Sequence, residues 1–101
     1  MPAYDVTQAL SLMKTRLNRL PGDTSLDSYF SARITAAAEE LEATGITLTD
    51  STADLMLVVD YAVWQYQNRD HPGSMPDWLR LKRRERWLGD QITREEGSDD
   101  P

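Results

Sequence analysis

Between Leu55 and Tyr66 the chain reads LMLVVDYAVWQY, with only Asp60 and Gln65 breaking an apolar run. On a helix of about 3.6 residues per turn, such a run covers nearly the whole circumference. A helix of that kind has to be enclosed, so it sits at the centre of a bundle or is covered on its spare face by a partner. The predicted helix runs from Thr52 to about Asn68, capped by Ser51 or Asp50. The stretch is too short to cross a bilayer. Asp60 is the one charge in its middle, and a lone buried carboxylate is costly. A solvent-facing edge is therefore expected for it, with an ion pair to an Arg as the alternative.

The rest of the pattern is helical as well. Val6, Leu10, Met13, Leu17 and Leu20 recur at spacings of four and three, which predicts a first helix over Val6–Arg19 with Asp5 as N-cap. Lys14, Arg16 and Asn18 fall outside that stripe. Two heptads are too few for a coiled-coil seam, and a packed bundle helix is expected. Pro21-Gly22-Asp23 turns the chain. Thr24 and Asp27 then have the spacing of a capping box for a second helix that reaches Thr44. Its expected buried face is Leu26, Phe30, Ile34, Ala37 or Ala38, and Leu41, with Tyr29 alongside. Glu39, Glu40 and Glu42 form an acidic outer face, and Gly45 suits a left-handed C-terminal cap.

Ile46-Thr47-Leu48-Thr49 reads as a short extended segment. It is expected to be a connector whose Ile46 and Leu48 plug the core. The alternative is a strand that pairs with another chain. After the Asp70–Ser74 turn, Pro76 opens a fourth helix that carries Trp78, Leu79, Leu81, Trp87 and Leu88 and ends near Gly89. The fold class expected is all-α, a small bundle of about four helices with that extended segment between the second and third. Residues 1–90 form one domain, and residues 91–101 an acidic, flexible tail, disordered over TREEGSDDP.

Composition narrows the chemistry. The chain has 101 residues, no Cys and one His, which excludes disulfides and thiolate metal sites. MPAYDVTQAL lacks the basic and apolar regions of a signal peptide, so none is expected, and the missing Cys fits a reducing cytoplasm. There is no nucleophile motif, no glycine phosphate loop and no paired metal-ligand spacing. His71 lies alone in a Pro-Gly turn and reads as surface. No catalytic, cofactor-binding or metal residue is assigned, and an enzyme is not expected.

Charge is unevenly placed. The net charge is −6, yet Arg80, Lys82, Arg83, Arg84 and Arg86 fall within seven positions, flanked by Trp78 and Trp87. Arg and Trp are enriched at protein interfaces, so these seven residues are the candidate interface. The same cluster also fits a solvated helix face, or a site that grips phosphates and stacks bases. The overall negative charge counts against a general nucleic-acid binder.

One family resemblance covers most of residues 6–90. TGITLTDSTADLMLVVDYAVWQYQNRD over 44–70 resembles the head–tail connector (adaptor) proteins of tailed bacteriophages and prophages. AAAEELEATGI over 36–46, LVVDY over 57–61, Trp64, Tyr66 and Arg69 fit the same pattern. So do the opening helix from Thr7 to Leu20, MPDWLR over 75–80 and RWL over 86–88. The resemblance implies a structural virion protein that forms a homo-oligomeric ring beneath the portal protein. DNA would pass through the ring without specific binding, and tail-completion or stopper proteins would attach below. It implies no cofactor and no membrane partner, and a location at the head–tail junction after synthesis in the bacterial cytoplasm. The other readings are a small helical DNA-binding or regulatory module, or an antitoxin-like protein-binding module.

Overall fold

The computed structural model describes residues 4–70 and 73–98, the last six of them by backbone alone. The expectations for His71 and for Asp99–Pro101, like the start of the N-terminal decapeptide, lie outside the described residues. The protein is an all-α bundle of four helices: α1 (Val6–Arg16), α2 (Asp27–Ala43), α3 (Thr52–Gln67) and α4 (Asp77–Ser98). Among the described residues no helix is long and apolar enough to cross a membrane.

Asp5 caps α1 as expected, its Oδ1 accepting from the Thr7 and Gln8 backbone N–H groups at 2.9 and 3.2 Å. The helix stops at Arg16, three residues short of the expected end. Asn18 takes a left-handed φ of 59°, and the backbone bonds Asn18 N–H to Thr15 O and Arg19 N–H to Lys14 O close the end. That is a Schellman cap built on Asn instead of Gly, and the sequence pattern ran straight through it. Leu20 consequently lies outside the helix, 75% exposed, and does not extend the stripe. Lys14 is buried, not outward. Its Nζ donates to Pro21 O at 3.1 Å and to Asp27 Oδ1 at 3.0 Å, tying α1 to the start of α2.

That use of Asp27 also displaces the expected capping box. α2 begins after Leu26 with no side-chain cap, and Thr24 stays in the turn. Asp23 organises the turn instead, accepting from Ser25 N and Oγ. The apolar face of α2 is as expected, with Phe30, Ile34, Ala37, Ala38 and Leu41 buried. Gly45 has φ +107°, which L side chains rarely adopt, and a Cβ there would lie 3.0 Å from Trp87 Nε1.

Ile46 and Leu48 are both buried and plug the core from the connector, which forms no strand. Ser51 Oγ caps α3 by accepting from Asp54 N–H at 3.2 Å. α3 is central, packing on α1, α2 and α4, while α4 makes its main contact with α3 alone. Leu57 and Tyr61 are buried on it as expected. Trp64 is only half-buried and packs on the edge of the core. α4 is longer than expected, continuing through Ser98 instead of ending near Gly89. One Gly costs a helix about 1 kcal/mol, which good helix formers on either side readily offset. Residues 91–98 of the expected tail are therefore helical.

Phe30 is 1% exposed and meets Tyr66 edge-on at 5.2 Å. Phe30→Ala is expected to cost about 3–5 kcal/mol in urea unfolding, with Trp64→Ala costing less because its ring already reaches water.

Candidate functional site: an outward-turned fourth helix

Two aspartates on α3 decide how α4 lies. Asp54 and Asp60 are both buried, at 2% and 5% exposure, and both belong to the otherwise apolar helix. Asp60 is not the solvent-facing edge expected of it. It pairs with Arg16 of α1 and, at 3.4 Å, with Lys82 of α4. One carboxylate thus joins three helices, which is how a charge is tolerated there.

Asp54 is held more closely. Arg86 Nε donates to its Oδ1 at 2.7 Å and Nη2 to its Oδ2 at 3.0 Å, a bidentate fork. Thr49 adds its N–H and its hydroxyl, each at 2.8 Å. Burial on its own would raise the Asp54 carboxyl, but the bonds from Arg86 and Thr49 outweigh it and hold the group below its ordinary value. Arg86 is correspondingly raised, chiefly by Asp54 and further by Asp90. Arg86 Nη2 also donates to Thr47 O at 2.6 Å, and Asp90 Oδ2 accepts from Thr47 N–H at 2.6 Å. The pairs 54–86 and 60–82 run in opposite senses, so α4 lies antiparallel to α3.

These clamps turn Lys82 and Arg86 toward α3 and leave the apolar side of α4 out. Leu79 is its one fully buried large side chain among the described residues. Trp78, Leu81, Leu88 and Ile92 are 48%, 53%, 40% and 55% exposed. They recur at helical spacing, so they form a ridge along one side of the helix. Trp78, Leu81 and Leu88 are among the apolar residues the sequence assigns to this helix, and all three stand partly in solvent.

The seven candidate interface residues are thereby divided. Lys82 and Arg86 are occupied by the body of their own chain. Arg80 pairs locally with Asp77 at 2.8 Å on the surface. Arg83 lies beside Tyr61, whose hydroxyl is raised first by burial and then by the Glu40 charge, with Arg83 opposing. Arg83, Arg84 and Trp87 line an open cavity of about 260 Å³ with Thr44. Among the described residues Arg84 makes no ion pair. Trp78 stands at the start of the ridge, while Trp87 is turned toward Gly45.

Sequence reasoning missed Ile92, because the helix was ended at Gly89. For Asp60 it held the ion pair with an Arg only as the alternative, and it did not single out Asp54. The one available signal was that a buried aspartate needs a cation, and Arg86 and Lys82 were within the cluster already singled out. No protein-family model, curated protein or solved structure matches the chain.

Because the folded-state value of Asp54 is depressed, its contribution to stability is complete above the unfolded value, about 3.9, and is lost as pH falls through the lower folded value. Asp54→Asn is expected to cost roughly 2–3 kcal/mol at neutral pH, since it leaves Arg86 without its fork. Urea unfolding between pH 2 and pH 7 checks both points. The variant is expected to show a shallower loss of stability at the acid end than the wild type.

Proposed function

We propose that this chain is a non-catalytic assembly subunit that docks on other protein chains through the apolar ridge of α4. The observation that carries the reading is the orientation of that helix: four large apolar side chains stand about half exposed along one side. Single exposed apolar residues are ordinary, but an aligned row of them marks an interaction surface. The flanking Arg80 and Arg84 add the side-chain type enriched where protein surfaces meet.

The more specific reading follows the resemblance of residues 6–90. In it the chain is a head–tail connector subunit that forms a ring beneath a portal protein and offers its lower side to tail-completion proteins. The ridge of α4 would seat on the portal or on the next subunit. DNA would traverse the channel without being held, consistent with a net charge of −6 that repels a polyanion at long range. The location in this reading is the virion.

Co-expression with the neighbouring portal, followed by electron microscopy of the purified complex, tests it. The wild type is expected to form rings on the portal. Leu81→Glu with Leu88→Glu should abolish them while leaving the circular dichroism spectrum unchanged, because both side chains lie outside the core. Rings that form equally well with the double variant would remove the ridge from the interface. Submicromolar, salt-sensitive binding to duplex DNA would replace this reading with that of a DNA-binding module.

A further inference from the structure

A second unclaimed feature lies away from α4. Arg33 of α2 and Arg69, just beyond α3, line one open cavity of about 230 Å³ together with Trp64, Gln65, Asn68 and Gly73. The chain carries a net charge of −6, and its acidic groups outnumber its basic ones. Even so, neither arginine makes an ion pair among the described residues.

Both guanidinium groups are already positioned. Arg33 Nη2 donates to Gln65 O at 3.3 Å, and its Cζ lies 5.9 Å from the Tyr29 ring centre. Arg69 stacks with Cζ 4.0 Å from the Tyr66 ring centre and donates from Nη1 to Tyr66 O at 2.5 Å. Aromatic and backbone support of this kind reduces what is lost in ordering an arginine for a carboxylate. Arg33 Nε and Gln65 Oε1 are buried and have no hydrogen-bond partner among the described residues. The Gln65 amide is held in that orientation by Nε2 donating to Glu40 Oε2 at 2.5 Å.

We propose that this cavity is a carboxylate-binding site and that its ligand is the acidic segment Glu95–Asp100 of a second copy of the chain. The segment carries Glu95, Glu96, Asp99 and Asp100. Its own cavity is out of reach. The Asp54–Arg86 pair marks one level along the antiparallel α3 and α4. From there Gln65 lies about 16 Å away in one direction and Ser98 about 18 Å in the other, at about 1.5 Å per helical residue. Asp100, two residues further on, adds at most about 7 Å. Donor and acceptor surfaces at opposite ends of one subunit make a head-to-tail contact, which repeats until it closes a ring or grows a filament. The proposal rests on the assembly reading of the chain, but it uses neither the α4 ridge nor a portal. Loss of portal docking in the ridge variant with head-to-tail association intact would separate the two.

The first test titrates the synthetic peptide TREEGSDDP into the ¹⁵N-labelled wild-type chain. Saturable shifts are expected at the Trp64 indole and at Gln65 and Arg69. Affinity should fall about tenfold in Arg33→Gln with Arg69→Gln, and should weaken markedly as salt rises. The uncharged peptide TRQQGSNNP should produce no shifts. Absence of shifts, shifts confined to α4, or equally tight binding of acetate or inorganic phosphate would each overturn the proposal. The second test is sedimentation of two variants, Arg33→Gln with Arg69→Gln, and Glu95→Gln, Glu96→Gln, Asp99→Asn with Asp100→Asn. Each alone should remain monomeric, and an equimolar mixture should stop at a heterodimer, since only one complementary contact survives. Association of either variant as in the wild type, or a mixture that stays monomeric while both are folded, would overturn it. If the cavity variant does not fold, the peptide titration on the wild type still decides.

Discussion

The pairing of two buried carboxylates on α3 governs how this bundle is put together. An apolar helix can be enclosed from any direction, so hydrophobic burial alone says little about where its neighbours go. A buried charge is more demanding, because leaving it unpaired costs several kcal/mol. Asp60 is met from α1 by Arg16 and from α4 by Lys82, and Asp54 is met by Arg86. Those contacts set the position of α1 and both the position and the rotation of α4. Removing either carboxylate would leave α3 buried but would loosen the rule that fixes its neighbours.

The exposed apolar ridge of α4 is a by-product of that rule. α4 is amphipathic, and in a bundle held by apolar contacts its Trp and Leu stripe would face the core. Here the cations on its other side are recruited by the aspartates, and Leu79 supplies the main apolar contact. The ridge of Trp78, Leu81, Leu88 and Ile92 is left facing water. Ion pairing and the exposed apolar ridge are thus two consequences of one placement. The same placement directs the acidic end of α4 away from the cavity of Arg33 and Arg69.

Much of the architecture was legible in local pattern. The periods of α1, α2 and α3, the caps Asp5 and Ser51, the left-handed Gly45 and the plugging role of Ile46 and Leu48 follow from side-chain type within a few residues. The misses share a cause. The Thr24–Asp27 capping box failed because Lys14, thirteen residues away, takes the Asp27 carboxylate. The end of α1 was hidden because Asn18 fills a position usually signalled by Gly. Asp60 was placed at a solvent edge because its partners lie 44 and 22 residues away in sequence. Residues 91–98 were read as tail because composition weighed more than helix propensity once Gly89 had been taken as a stop.

By itself the sequence determined four helices, the central place of α3 and the concentration of cations on α4. Periodicity and capping are short-range properties, and they hold whatever the helices pack against. Only the tertiary structure decided which side of α4 turns inward, and with it which of the seven candidate residues remain available to a partner. That choice depends on the free energy of pairing a buried aspartate with a cation 22 or 32 residues further along the chain. No local window contains both members of such a pair.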